Sequence, residues 1–180
     1  MRKMRKKILA IVSSPRLGSN SEMLVDSFIR GAEEAGHEVE KLVLRGKKIA
    51  PCLACEACLK NGGTCVQKDD MADINRQIVE ADVIVLSTPT YYYSISAQLK
   101  LVIDRTLANQ GKMKSKEFYF IVTAADGEEA MDTVIADLNG FVACVPGSTV
   151  RGEVRGSAFG RREIAGSPAL DRAYTLGKEC

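Results

Sequence analysis

The run Ile8-Leu9-Ala10-Ile11-Val12 contains no polar residue, and Ser13-Ser14-Pro15 breaks it with turn-forming residues. A strand with one face in water alternates polar and apolar positions. An unbroken apolar strand needs cover on both faces, as in a parallel sheet. Parallel strands cannot be joined by tight hairpins, so each needs a crossover, usually a helix. The chain supplies these. Ser19 opens a helix with Glu22 three positions on, a capping-box pattern. Leu24, Val25, Phe28, Ile29 and Ala32 follow at helical spacing, with a stop at Gly36. Val39 to Leu44 reads as a second strand, which completes a strand–helix–strand unit. Asp69 and Asp70 cap a helix bearing Met71, Ile74, Ile78 and Ala81, and Asp82 to Ser87 is a third strand. Leu99, Val102, Ile103 and Leu107 predict a helix from about Ala97 to Gln110, capped by Gly111.

Glu117 to Thr123 is a fourth strand. Asp126 and Glu129 cap a helix with Met131, Val134, Ile135 and Leu138, which Gly140 should stop. Phe141 to Val145 predicts a fifth strand, and Thr149 to Val154 could continue it. Ser167-Pro168 starts a last helix with Leu170, Ala173 and Tyr174, proline being favoured at the first helical position. Five strand–helix units in 180 residues predict a three-layer α/β fold in one domain, residues 1–180.

In open parallel sheets ligands sit beyond the carboxyl ends of the strands. The loops expected there, 14–20, 45–69, 88–96 and 124–128, also hold the unusual chemistry. The first is hydroxyl-rich and opens a helix, whose free N–H groups and partial positive charge suit a phosphate. Ser19, Asn20 and Ser21 add donors and Arg16 adds a charge. The same residues could simply cap the helix. Neither G-x-x-x-x-G-K-[ST] nor G-x-G-x-x-G occurs here. In Pro89-Thr90-Tyr91-Tyr92-Tyr93-Ser94 neighbouring side chains point different ways, so at least one tyrosine should be exposed, against a flat ring or an oligomer contact. Ala124-Ala125-Asp126-Gly127 is small enough for close backbone approach. A monophosphate site, an aromatic wall and a small-residue loop together suggest FMN rather than a dinucleotide.

Cys52, Cys55, Cys58 and Cys65 place four of the six cysteines within fourteen positions, spaced C-x2-C-x2-C-x6-C. Three thiolates in seven residues, with a fourth from the next stretch, suit an iron–sulfur cubane. Plain thiols or a redox dithiol are a second reading. Zinc is a third, although its C-x2-C pairs usually stand further apart.

A net charge of +2 makes no case for nucleic acid or an anionic membrane. The basic start, Met1 to Lys7, imitates a secretory leader, but its five-residue apolar run is too short for one. No run approaches membrane-spanning length. A cytoplasmic setting is therefore expected, where structural disulfides are disfavoured. Cys144 reads as core, Cys180 as an exposed thiol, and His37 as a solvated turn residue. With that one histidine, nucleophilic Ser-His or Cys-His catalysis is not expected. Asp104 and Arg105 read as orienting their helix.

Taken together, S-S-P-R-x-x-S-N-S at 13–21, the cysteine loop followed by Asp69-Asp70-Met71, Ala81-Asp82-Val83-Ile84-Val85, Pro89-Thr90-Tyr91, and Leu99-Lys100 with Ile103-Asp104-Arg105 resemble the NADPH-dependent FMN reductase family. Within it the pattern is most similar to the iron–sulfur flavoproteins. The resemblance covers nearly the whole chain. It implies a flavodoxin-like, doubly wound sheet of five parallel strands in the order 2-1-3-4-5, one FMN per subunit, and a homodimer or homotetramer. It also implies that Ser13, Ser14, Arg16, Ser19, Asn20 and Ser21 hold the phosphate. Pro89, Thr90, Tyr91, Tyr92 and Ser94 would line the flavin, with Ala125, Asp126 and Gly127 beside them. Cys52, Cys55, Cys58 and Cys65 would hold a [4Fe–4S] cluster. The expected function is an oxidoreductase passing electrons from NAD(P)H or ferredoxin to a small-molecule or protein acceptor, without catalytic acids or bases. A cluster-free FMN or quinone reductase, a flavodoxin-type carrier, and a zinc-stapled binding module are the rivals.

Overall fold

The structure, a computed structural model, describes residues 5–109 and 111–180. Met1 to Met4 and Gln110, the expected end of a helix, lie outside the described residues. In chain order the elements are β1 (Lys7–Val12), α1 (Asn20–Glu34), β2 (Glu38–Val43), a short α2 (Ala57–Lys60), α3 (Met71–Glu80) and β3 (Val83–Pro89). Then follow α4 (Ala97–Arg105), a 3-10 turn at Thr106–Asn109, β4 (Glu117–Ala124) and a second 3-10 turn at Glu128–Met131. α5 (Asp132–Ala143), β5 (Thr149–Ser157) and α6 (Pro168–Glu179) complete the fold. All strand pairs are parallel, in the order β2-β1-β3-β4-β5, as expected.

Both sheet faces are covered, which is why β1, β3 and β4 carry unbroken apolar runs. Ile8, Ala10, Val12, Val83, Val85, Tyr119 and Ile121 point to the layer of α1 and α6. Their neighbours Leu9, Ile11, Ile84, Leu86, Phe118 and Phe120 point to the layer of α3, α4 and α5. On the first side α1 and α6 approach backbone to backbone. A Cβ on Gly177 would stand 2.0 Å from the Phe28 carbonyl oxygen, and one on Gly31 would stand 2.1 Å from the Tyr174 carbonyl oxygen.

The fifth strand is not Phe141 to Val145. α5 runs through Gly140 to Ala143, and β5 is the segment that was expected only as a continuation. Val142 extends the face of Val134 and Leu138 at four-residue spacing, and Phe141 meets Phe118 edge-on at 6.1 Å. That packing outweighs the roughly 1 kcal/mol a glycine costs inside a helix. β5 lies at the sheet edge and needs less cover, so its sequence is polar. Three residues also change environment. Cys144 caps α5 and is exposed, whereas Cys180 is buried at the end of α6. His37 is buried too, with Nδ1 accepting a hydrogen bond from the Lys6 N–H at 3.1 Å. No described helix is long and apolar enough to cross a membrane.

The cysteine loop leaves the sheet after β2 and is closed at its neck by one side chain. The Arg105 guanidinium, at the end of α4, is almost wholly buried. It donates to the Ala50 carbonyl (2.8 Å), to both Asp69 oxygens (2.8 and 3.1 Å) and to the Cys65 sulfur (3.3 Å). Asp69 in turn accepts from the Ala50 and Met71 N–H groups. Burial alone would raise the Asp69 carboxyl. The hydrogen bonds from Arg105, Ala50 and Met71, with the guanidinium charge, outweigh burial and hold it below the usual carboxylate range.

Two outcomes are expected. Gly177→Ala should lower stability by about 1–3 kcal/mol, because overpacking wins over the helix-propensity gain of about 1 kcal/mol. Adding Gly31→Ala should cost less than a second full increment once the helices are apart; urea midpoints measure both. Asp69→Asn should cost about 3–5 kcal/mol at neutral pH, because it strands a buried guanidinium. A depressed carboxyl stabilises above its unfolded pKa and loses that contribution as pH falls through the folded value. The gap between wild type and Asp69→Asn should therefore close below about pH 4; a constant gap in urea melts from pH 7 to 3 would refute the assignment.

Candidate functional site

The chain crosses from β2 on one side of β1 to β3 on the other, so strand order reverses between β1 and β3. A cleft of about 320 Å³ opens at their carboxyl ends. It is lined by Ser14, Arg16, Ser19, Asn20 and Ser21 after β1, and by Pro89, Thr90 and Tyr91 after β3. Thr123, Ala124 and Ala125 close it after β4, and Ala158, Phe159 and Arg161 after β5. The volume is at the lower end of the range for ligand pockets, about 300–1,000 Å³.

The first wall is the start of α1. Ser19 is its N-cap, with Oγ accepting from the Glu22 N–H at 3.1 Å and lying 3.2 Å from Ser21 Oγ. The expected capping box is shifted by one residue: the Glu22 carboxylate accepts from the Gly18 N–H at 3.0 Å, not from Ser19. A carboxylate here would repel an anion, but its charge is engaged. Burial would raise it; Lys41, the Gly18 N–H and Arg45 outweigh burial and hold it below the usual range. Lys41 stands 3.0 Å away and Arg45 3.7 Å. Arg45 also donates to the Arg16 carbonyl at 3.0 Å, which ties down the turn. The helix N-terminus is thus left with net positive character toward the cleft.

The second wall carries an unsatisfied group. Thr90 donates its N–H to the Thr123 carbonyl at 2.7 Å, yet its buried Oγ1 has no hydrogen-bond partner among the described residues. A buried hydroxyl without a partner costs about 1–3 kcal/mol, so a ligand that bonds it gains correspondingly. Beyond it, Tyr91 and Ser94 exchange backbone hydrogen bonds at 3.0 and 3.1 Å in a tight hairpin. Tyr92 and Tyr93 occupy its two left-handed positions, at φ of 50° and 60°. All three tyrosines are exposed, Tyr92 completely.

Nine of the expected flavin residues share this cleft: Ser14, Arg16, Ser19, Asn20, Ser21, Pro89, Thr90, Tyr91 and Ala125. Five do not line it. Ser13 is fully buried, its Oγ accepting from the N-cap hydroxyl of α4, Ser96, at 2.8 Å. Tyr92 points into solvent. Ser94 is turned away to Asp137, at 2.8 Å. Asp126 is exposed and accepts from the N–H of Gly127. The wall after β5 lies outside the four loops expected from the sequence. Its signal is a glycine-rich run with an isolated Phe159, between Ala158 and Gly160, followed by Arg161 and Arg162.

Cys52 and Cys55 are exposed, Cys58 and Cys65 partly buried, and all four are free thiols. The Ala54 N–H reaches Cys52 Sγ at 3.4 Å. Ala54 and Glu56 lie in the left-handed region, at φ of 51° and 55°. Among the described residues no three His, Cys, Asp or Glu side chains stand close enough to hold a metal ion. The donor set is that of a thiolate-ligated centre, but its members stand apart.

The model of the NADPH-dependent FMN reductase family matches residues 6–156. An iron–sulfur flavoprotein of Archaeoglobus fulgidus is 41% identical over 101 residues, covering 56% of this chain and 46% of the relative. One from Methanocaldococcus jannaschii is 32% identical over 137 residues, covering 75% of this chain and 70% of the relative. The chain thus spans about half the length of several of the curated relatives it matches. Among solved structures, an NAD(P)H:quinone oxidoreductase from Methanothermobacter marburgensis superposes with a TM-score of 0.77 at 17% identity, over 98% of this chain and 96% of the other. An azoreductase from Bacillus anthracis gives 0.74 at 16% identity, over 97% of this chain and 100% of the other. These two likenesses establish the fold. The family model covers most of the chain, and the chain belongs to the NADPH-dependent FMN reductase family.

Proposed function

We propose that this protein is an FMN-dependent oxidoreductase which takes electrons from a nicotinamide nucleotide and holds its flavin in the strand-tip cleft. The observation that carries the reading is the convergence on one cleft of the α1 N-terminus, the Arg16 guanidinium and the orphaned Thr90 hydroxyl. The first two suit a phosphate monoester, and the third suits a polar edge further along the same ligand. Ala124 and Ala125 leave room for a flat ring against the backbone, and Tyr91 offers an aromatic side wall. No described residue lining the cleft is a carboxylate, imidazole or thiol. The protein's part is therefore to bind, orient and exclude water. Bound FMN would supply the hydride and single-electron chemistry.

The reading treats the chain as one FMN-binding domain with the 45–69 loop as a flap. Cys52, Cys55, Cys58 and Cys65 would be the ligands of a [4Fe–4S] cluster, which would supply one-electron transfer when bound. The naming of the archaeal relatives and the thiol spacing support this part. Arg105 fixes Cys65 and the loop's neck, while Cys52 and Cys55 lie on exposed chain with room to draw in.

Thr90→Val should weaken FMN binding by about five- to tenfold, for one hydrogen bond worth about 1–1.5 kcal/mol. It should leave the apoprotein as stable or more so, since it removes an unpaired buried hydroxyl. Flavin-fluorescence titration and urea melts read the two effects, and unchanged FMN affinity would remove Thr90 from the site. Cys55→Ser or Cys58→Ser, purified without oxygen, should abolish iron–sulfur absorbance and acid-labile sulfide while flavin absorbance stays. Retained sulfide would overturn the ligand set. Wild-type protein with flavin but no iron would favour the cluster-free reductase, and zinc without flavin the binding module.

A further inference from the structure

The segment after β5 lies beyond the residues matched by the family, 6–156, yet it forms one wall of the cleft. Three ties set its shape. Ile164 is fully buried in the layer of α1 and α6. The Asn20 side chain donates to the Gly160 carbonyl at 2.8 Å and accepts from the Ile164 N–H at 3.4 Å. The Glu163 carboxylate accepts from the Gly160 N–H at 2.5 Å. Asn20, the first residue of α1, thus has both ends of its amide engaged in holding this strap. What the strap delivers is Arg161. Its guanidinium stands over the turn before α1: a Cβ placed on Gly18 would lie 3.6 Å from Nη2.

Several arginines of the described chain are engaged, Arg105 with Asp69, Arg155 with Asp132 and Glu153, and Arg45 with Glu22, whereas the two that line the cleft, Arg16 and Arg161, are in no ion pair among the described residues. Arg161 has no carboxylate within ion-pair distance among the described residues, although Glu163 is two positions away. It is an exposed charged group on a shaped loop, without an ion-pair partner among the described residues, beside a helix N-terminus. Such a guanidinium matches a planar or tetrahedral oxyanion bidentately.

We propose that Arg161 is a phosphate-binding residue for the flavin mononucleotide, acting with Arg16 and the start of α1, and that Asn20 is the positioning residue that presents it. This rests on the proposed flavin site and adds to it a phosphate contact from outside the β1 loop. Arg161 discriminates for the phosphate monoester: it tightens FMN and leaves riboflavin, which has the same ring and no phosphate, untouched.

The test uses the full-length apoprotein and titrates FMN and riboflavin separately by fluorescence quenching. Arg161→Gln should weaken FMN about tenfold, the scale of one charge-assisted hydrogen bond near the surface, with riboflavin affinity unchanged. Arg162→Gln, next in the chain but outside the cleft lining, should change neither. Asn20→Ala should weaken FMN more than riboflavin, and combined with Arg161→Gln should add little. An FMN-to-riboflavin affinity ratio equal to wild type in Arg161→Gln overturns the assignment. That includes the case where only the KM for NADPH rises, which would give the guanidinium to the nicotinamide nucleotide's phosphate. Equal losses for both flavins also overturn it, since the strap would then only shape the ring wall. If wild type binds FMN tightly and the ratio does not move, this inference falls and the flavin site stands. If wild type binds neither flavin, both fall.

Discussion

A parallel ladder imposes the whole arrangement. Each strand must leave the sheet at the same end and return through a helix, so the carboxyl tips of β1, β3, β4 and β5 open side by side. Both faces must be covered, which makes the strands apolar and the tips the first positions where polar side chains can gather. Ser14, Thr90 and Thr123 sit at those tips for the same geometric reason. Chemistry is concentrated there because the fold leaves nowhere else for it.

Charge at the site follows from a second constraint. A helix that begins beside a ligand must be capped without neutralising its own attraction for an anion. Glu22 completes the cap through the Gly18 N–H, and its charge is absorbed on the far side by Lys41 and Arg45. The cleft side keeps the two guanidinia of Arg16 and Arg161. The cap and the proposed anion site therefore share one turn.

The strands β1, β3 and β4 and the helices α1 and α3 were legible because their apolar periodicity is strong and short-range. So were the loops at their carboxyl ends. Residues 141–145 were not, since a short apolar run is equally a buried strand or the last turn of a helix. Tertiary packing on Phe118 decided it. The misplacement left β5 as a mere continuation, and the wall carrying Phe159 and Arg161 fell outside the expected loops. At the cleft, loop membership was more legible than side-chain direction. Ser13 and Ser94 belong to the expected loops, but one supports α4 and the other grips α5. Burial of His37 and Cys180 depended on partners distant in sequence, which no local pattern encodes.

The helix α4 is held at both ends by side chains that matter. Its first hydroxyl, on Ser96, bonds Ser13 beneath the cleft, and its last residue, Arg105, grips the neck of the cysteine loop. Nine residues at about 1.5 Å each make a stiff spacer of about 13 Å. Flap and cleft are thus gauged apart by a rod, so bending of the exposed loop tip leaves the distance between their anchor points fixed.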